Sequence, residues 1–204
     1  MPVPGWFSEI LERELTDQVS LSDDQLTRLY EHYALLDRWN KKMSLTSVEP
    51  GEETVIRHYC ESLFFAAHLP DSATSIADIG SGAGFPGVPI AILKPDWKVS
   101  LVESNQRKSV FLREATRSLT NVSVLAERAE ELSSVFSCLV SRAVNPKEVL
   151  ALVPRLAPRV GLMLSEDDFL NLQSIKHVAW SEPIRLPWGD RRICAFGVSR
   201  GHFA

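Results

Sequence analysis

Cysteine is scarce in this chain. Cys60, Cys138 and Cys194 are scattered, odd in number and never spaced Cys-x-x-Cys, which fits reduced thiols in a cytoplasm rather than a disulfide framework. Long apolar runs are missing too: none approaches the roughly 20 residues that a membrane-spanning helix needs. The opening MPVPGWFSEILEREL interrupts its apolar residues with charge, unlike a secretory signal peptide. A soluble, cytoplasmic protein is expected. Positive charge is not in excess, with 22 Lys and Arg against 26 Asp and Glu and a net charge of -4. That argues against a uniformly basic nucleic-acid binder but allows a local basic patch. The histidines (His32, His58, His68, His177 and His202) show no metal-ligand spacing. His58 and Cys60 in RHYC are too few ligands for a zinc site, so no metal is expected and His58 is read as packing or capping within its helix. Neither Gly-x-Ser-x-Gly nor a P-loop occurs, which leaves hydrolase and nucleoside-triphosphatase readings without a motif.

What is present falls into two parts. Residues 1–70 carry helical periodicity. Phe7, Ile10, Leu11 and Leu15 share one face. Ser22 to Gln25, SDDQ, is a capping box opening a second helix with Leu26, Leu29, Tyr33 and Leu36 as its apolar stripe. After the loop NKKMSLTSVEPGEE, Val55, Ile56, Tyr59 and Leu63 stripe a third. Pro70 marks a boundary. Over residues 71–204 the pattern changes to alternation. Strands are expected at Ser75–Ile79, KVSLVE, NVSVL, CLVSRA and RVGLML, and helices at Gly87–Leu93, NQRKSVFLREATRSL, PKEVLALV and DDFLNLQSI. RICAFGVS follows IRLPW so closely that an antiparallel hairpin at the sheet edge is expected. Repeated strand–helix units predict an α/β fold with right-handed crossovers and a mostly parallel sheet covered on both faces. At 204 residues and 45% hydrophobic, one globular unit with a helical extension suffices.

The most informative stretch is SIADIGSGAGFPGVPIAIL, Ser75 to Leu93. An apolar strand carries Asp78 and runs into Gly80, Gly82, Gly84 and Gly87 before a helix begins. Glycine accepts positive φ and lets a ligand approach the backbone, and in a parallel sheet such a loop lies where ligands bind. The next strand ends at Glu103, about twenty residues on, where a carboxylate can accept both hydroxyls of a ribose. An adenosine-containing cofactor is expected. Two frames compete. Gly82-x-Gly84-x-x-Gly87 suits a dinucleotide such as NAD or FAD, and Gly80-x-Gly82-x-Gly84 after Asp78 suits S-adenosylmethionine. A dinucleotide brings a diphosphate to a helix N-terminus, and an aspartate there would repel it. The methyl donor is a sulfonium cation, which the aspartate would suit.

DIGSGAGFPGVPIAI, VSLVESNQRKSVFL, NVSVLAERAEEL and CLVSRAV together resemble the RsmG (GidB) family, bacterial methyltransferases acting on N7 of a guanine in 16S, small-subunit ribosomal RNA. LLDRWNKKMSLTS is similar to that family's W-N-x-x-x-N-L-T stretch and IRHYCESL to its H-x-x-D-S-L stretch. The chain departs from the pattern with Ser44 in place of Asn, and with Ser165 and Glu166 in place of Lys-Gly. The resemblance implies a Rossmann-like S-adenosylmethionine-dependent methyltransferase fold, with a mostly parallel seven-stranded sheet whose last strand is antiparallel. It implies Gly80 and Phe85 lining the cofactor with Asp78 and Gly82 nearby, Glu103 on the ribose, Ala129 and Glu130 at the adenine, and Arg142 facing cofactor and target base.

Methylation at N7 removes no proton, so no catalytic base is expected. Arg142 and Asn145 are candidates for positioning the substrate, while Pro146 is read as a helix start and Cys138 as core. Arg107 and Lys108 are the leading RNA contacts, with Lys41 and Lys42 beside Arg38 next. Arg113, Arg117, Arg191 and Arg192 are weaker candidates. The expected partner is small-subunit ribosomal RNA within the ribosomal subunit. Alternatives are an NAD-dependent oxidoreductase, from the second glycine frame, and a non-catalytic cofactor-binding RNA-binding module.

Overall fold

The computed structural model describes residues 2–201; His202 lies outside them. Helix α1 (Gly5–Leu15) buries Phe7, Ile10, Leu11 and Leu15, the face set by its periodicity. Helix α2 (Asp23–Asn40) starts at a capping box: Gln25 donates its backbone N–H to Ser22 Oγ at 3.3 Å, and Ser22 N–H donates to Gln25 Oε1 at 2.9 Å. Each reciprocal bond satisfies an orphan donor of the first turn. The expected third helix is more complex. A three-residue α3 (Glu52–Thr54) passes into a π-helical segment, Val55–Cys60, and then into α4 (Glu61–Ala67). The wider turn keeps Val55, Tyr59 and Leu63 in the core and also buries His58, Cys60, Glu61 and Ser62. Such π turns are rare and concentrate at functional sites.

The sheet follows. Strand β1 (Ser75–Ile79), α5 (Gly87–Leu93), β2 (Lys98–Val102), α6 (Gln106–Ala115) and β3 (Val122–Leu125) alternate. They are followed by β4 (Cys138–Arg142), α7 (Pro146–Leu156), β5 (Arg159–Ser165) and α8 (Glu166–Leu172). The chain then adds β6 (Val178–Trp180), β7 (Ile184–Arg185) and β8 (Arg192–Ser199). Strand order is β3-β2-β1-β4-β5-β8-β6, with β7 also on β8. Strands β1 to β5 pair in parallel, and β8 runs antiparallel to β5. The expected seven strands thus become eight, the addition being the three-residue β6. The hairpin forms, since Ile184 pairs Cys194 and Arg185 pairs Ile193, but β8 is not the edge. It lies inside β6, which three residues without alternation do not announce.

Central strand β1 is buried along Ile76–Ile79, as expected of a strand covered on both faces. One core cluster joins the N-terminal helices to α5, α6 and the sheet through Phe7, Leu29, Tyr59, Leu101 and Phe111. A second, on the other face, gathers Ala77, Leu139, Val149 and Val153 beneath α7. Cys138 belongs to the first and is buried, as read from the sequence.

One buried polar chain ties the N-terminal helices to the glycine loop. His32 Nε2 lies 3.1 Å from the Ala83 carbonyl oxygen, and Nδ1 lies 2.7 Å from the Tyr59 hydroxyl. A carbonyl only accepts, so Nε2 carries the proton and Nδ1 accepts from Tyr59. Burial pushes the imidazole down to about 4. Because the unfolded chain takes up the proton first, the stability of neutral His32 is present above its ordinary value of 6.5 and is lost as pH falls toward 4. His32→Gln is expected to be about 1–3 kcal/mol less stable than wild type near neutral pH. In denaturant unfolding that gap should narrow near pH ~4.5; a gap unchanged by acidification contradicts the assignment.

Candidate active site

Strands β1, β2 and β4 end side by side, with Ile79 level with Val102 on one flank and with Ser141 on the other. The chain order reverses between β1 and β4, so the loops leaving them diverge and open a crevice at the carboxyl ends. The loop after β1 starts at Gly80, whose φ is +71°; a Cβ there would lie 2.4 Å from Val144 Cγ2. Both Gly80 N–H and Ser81 N–H donate to the Val102 carbonyl, at 2.9 and 3.1 Å, folding the loop back over β2. Ser81 Oγ donates to the Asp78 carbonyl at 2.9 Å.

Glu103 stands where the two loops meet. Its Oε2 accepts the Gly82 N–H at 2.9 Å and its Oε1 the Asn105 N–H at 2.8 Å. Each carboxylate oxygen can accept a second bond, so the crevice side of Glu103 retains capacity for two hydroxyls. Asn105 in turn caps α6, accepting from Arg107 N–H and Lys108 N–H. Asp78 behaves differently from its expected role. It is fully buried beneath the loop, and its Oδ2 accepts the Gly87 N–H at 3.0 Å. Burial pushes its carboxyl up to about 7, so it braces the start of α5 and does not offer a fixed charge to a ligand.

Two adjoining cavities form the crevice. One, of about 360 Å³, is lined by Gly80, Gly82, Phe85, Glu103, Lys108 and Arg142, with Leu45, Thr46 and His58 contributed by the N-terminal part. The other, of about 220 Å³, shares Gly80, Glu103 and Val144 with the first and adds Ala129 and Glu130 on the turn Ala129–Glu131. The structure therefore brings together the sequence-derived residues Gly80, Gly82, Phe85, Glu103, Ala129, Glu130 and Arg142. Asn145 is not among them: its Oδ1 accepts the Lys147 N–H at 3.1 Å as the N-cap of α7, and Pro146 begins that helix.

Arg142 leaves the end of β4 with its side chain 12% exposed, and its Nη2 lies 3.3 Å from Oε2 of Glu61. Glu61 is fully buried and also takes both terminal nitrogens of Arg192. Burial pushes Glu61 up against the pull of the Arg142, Arg192 and Arg57 guanidiniums and lowers Arg142 to about 10, still cationic at neutral pH. Arg142 Nη1 is buried without a partner. Next to Arg142, Ala143 sits at φ +60°, a left-handed conformation that strains a residue with a Cβ. His58 stacks on Phe85 with ring centroids 4.8 Å apart and meets Thr46 Oγ1 at 2.7 Å through Nε2. Burial, with Arg142 nearby, holds it down to about 3, hence neutral.

The basic residues sort themselves. Lys108 lines the larger cavity. Arg107 joins Arg38, Lys42, Trp39, Met43 and Val110 around a separate groove of about 480 Å³. Lys41 turns back to Asp37 of its own helix at 3.0 Å. Arg191 pairs at the surface with Glu166 and Asp167, and Arg192 with the buried Glu61. Arg113 and Arg117 are exposed and line neither cavity. Among the described residues no group of three or more His, Cys, Asp and Glu is placed to hold a metal ion, and no helix is long and apolar enough to cross a membrane.

Comparison with known proteins addresses the same residues. A family model described as GidB, rRNA small subunit methyltransferase G, matches residues 25–165. The ribosomal RNA small subunit methyltransferase G of Dichelobacter nodosus is 44% identical over 188 residues, 88% of this chain and 89% of that protein. That of Burkholderia multivorans is 39% identical over 154 residues, 69% and 68% of the two chains. The chain belongs to the rRNA small subunit methyltransferase G family. The match to the Nitrosospira multiformis member, at 40% identity, spans 60% of that protein. Among solved structures, a magnesium protoporphyrin IX methyltransferase from Synechocystis with bound SAH superposes with a TM-score of 0.56 at 14% identity, over 87% of this chain and all of that one. A Methanococcus jannaschii fibrillarin pre-rRNA processing protein gives 0.56 at 13% identity, over 66% and 70%. These two show the shared Rossmann-like fold.

Within the methyltransferase G family pattern the departures have local explanations. Ser165 caps α8, accepting the Asp168 N–H, and Glu166 pairs with Arg185 at 2.8 Å. Ser44 is exposed, while Asn40 organises its loop: Oδ1 accepts from Leu45 and Thr46, and Nδ2 donates to the Thr46 carbonyl. Sequence reasoning missed Thr46 and His58 as crevice residues, and Asn40 and Glu61 as the groups that hold Thr46 and Arg142, although all four sat inside the quoted stretches. Glu103→Gln replaces one acceptor with an NH₂ facing a backbone N–H. It is expected to lower stability by about 1–3 kcal/mol in denaturant unfolding; wild-type stability would contradict the Glu103 geometry.

Proposed function

We propose that this protein transfers a methyl group from S-adenosylmethionine to N7 of a guanine in 16S ribosomal RNA, taking the small ribosomal subunit as its substrate. The observation that carries the reading is the pair of cavities that meet at Gly80 and Glu103. The cofactor fits there on two counts: Gly80 leaves open the space a Cβ would close against Val144, and Glu103 keeps acceptor capacity beside it. Glu103 would hold the ribose, Ala129 and Glu130 the adenine, and Gly80, Gly82 and Phe85 the amino-acid end. Bound there, S-adenosylmethionine supplies a methyl group on a cationic sulfur.

The protein's own residues have limited work to do. N7 of guanine offers a lone pair with no proton to lose, so no side chain acts as a base. The chain binds, orients and excludes water, and correct placement of the two reactants alone is worth about 7–11 kcal/mol at best. A neutral His58 adds no positive charge where the methylated base becomes cationic. Asp78 contributes by bracing α5, so the choice of methyl donor over dinucleotide rests on family membership rather than on its charge. Residues 1–70 act as a helical extension that walls the crevice, and residues 71–204 as the methyltransferase domain. Lys108, Arg107, Lys42 and Lys41 contact phosphates. Lys41, paired with Asp37 of its own helix at 3.0 Å, is the weakest member of that set. With a net charge of -4, these few cations hold RNA weakly, and the folded subunit supplies the remaining contacts in the cytoplasm.

Calorimetry is expected to show binding of S-adenosylmethionine and none of NAD, with Gly80→Val losing the methyl donor. Mass spectrometry of 16S ribosomal RNA from cells lacking the protein is expected to lack one N7-methylguanosine that its return restores. An unchanged methylation pattern, or equal transfer to short naked RNA, would contradict the reading.

A further inference from the structure

The groove of about 480 Å³ beside the crevice is lined by Arg38, Trp39, Lys42, Met43, Arg107 and Val110, and all six are at least partly exposed. Its walls divide by chemistry. Trp39, Met43 and Val110 are apolar, and Val110 is 51% exposed on α6. An exposed valine next to a half-buried tryptophan and methionine makes a small apolar surface open to water. That surface is held in place. The Trp39 ring meets the buried Phe111 edge-on at 5.7 Å, and the Trp39 carbonyl accepts the N–H of both Lys42 and Met43, at 2.9 and 3.0 Å. The end of α2 therefore folds Met43 back beside Trp39. Around this surface stand three cations and no acid. Lys41 and Arg28 of the same helix face carboxylates, but among the described residues no carboxylate pairs with Arg38, Lys42 or Arg107. Like charges gathered at one groove repel each other and attract an anion.

The groove and the crevice share two walls. Arg107 lines the groove, and Lys108, the next residue of α6, lines the larger crevice cavity; Met43 lines the groove, and Leu45 and Thr46 that cavity. Asn105 Oδ1 fixes the α6 wall by accepting the N–H of both Arg107 and Lys108, and consecutive Cα atoms there are only about 3.8 Å apart. A base that enters a crevice for chemistry leaves its stack, so its neighbour in the strand loses a stacking partner while the backbone runs on over the crevice wall. Apolar and aromatic side chains that take a base, with cations that take its phosphates, are the composition of single-strand nucleic-acid sites. An acidic peptide would answer the charge equally well, but the strand that delivers the target has to leave the crevice, and this groove lies across its wall.

We propose that this groove holds a nucleotide flanking the target guanine, its base against Trp39, Met43 and Val110 and its phosphates on Arg38, Lys42 and Arg107. The inference rests on the ribosomal RNA methylation reading above. The direct test places a photoreactive side chain in the groove: Val110→p-benzoylphenylalanine, mixed with small ribosomal subunits and S-adenosylhomocysteine, irradiated, and the cross-link mapped by primer extension and protein mass spectrometry. A cross-link to the nucleotides flanking the methylated guanine is expected. A cross-link to a ribosomal protein, to RNA remote from that guanine, or to nothing overturns the proposal. Kinetics give an independent readout. The triple variant Arg38→Gln, Lys42→Gln, Arg107→Gln is expected to raise KM for subunits roughly 10- to 100-fold and to lower the slope of log KM against log salt by about two. Trp39→Leu is expected to raise KM about 10-fold without changing that slope, and Trp39→Phe to recover part of the loss. Calorimetry should show S-adenosylmethionine affinity retained in each variant. An unchanged KM and salt slope in the triple variant overturns the phosphate contacts, and cofactor affinity lost in step with KM overturns a local role for the groove. A wild-type protein that methylates no subunit RNA overturns the methylation reading itself, and this inference with it.

Discussion

Two backbone N–H groups from different loops, those of Gly82 and Asn105, converge on the carboxylate of Glu103, and the shape of the crevice depends on that convergence. Parallel strands bring the loops after β1 and β2 to the same end of the sheet, but nothing in the strands themselves fixes the gap between them. A carboxylate with acceptor sites to spare does so while remaining available to a ligand. The loop then needs residues that tolerate the path imposed on it. Gly80 accepts a positive φ and the press of Val144, and Gly87 gives its N–H to the buried Asp78. The aspartate that looked like a ligand contact is a brace, because the helix it starts has to be held against β1.

The N-terminal helices are part of the same machinery. His32 holds the Ala83 carbonyl from α2, and the π segment presents His58 to Phe85. The ion cluster of Glu61, Arg142 and Arg192 links α4, β4 and β8. Buried ion clusters contribute little net stability compared with apolar packing, yet breaking one leaves an uncompensated charge and is strongly destabilising.

Much of this was legible in the sequence, and the failures are instructive. Apolar periodicity located α1, α2 and β1 to β5 because each buries a regular face. The capping box at Ser22 was readable because its donors and acceptors are local. Glu103 was found from its spacing to the glycine loop, and Arg142 from the stretch that resembles the family. Strand β6 and the inward position of β8 were missed, since a three-residue strand has no period and antiparallel insertion is decided by distant partners. The π segment was hidden because a wider turn leaves the stripe Val55, Tyr59, Leu63 intact. That Arg191, Arg192 and Lys41 face carboxylates was not legible, because composition counts cations without revealing their partners. That Asn145 serves as the N-cap of α7 was not legible, because a helix cap and a substrate contact call for the same side chain.

The central claim is that Gly80 and Glu103 cradle an adenosyl methyl donor. A crystal structure of the protein grown with S-adenosylmethionine tests it most directly. The account predicts ribose hydroxyls on the Glu103 carboxylate, adenine beside Ala129 and Glu130, and the sulfur end over Gly80 toward Phe85. A donor bound elsewhere, or an empty crevice at saturating ligand, would contradict it.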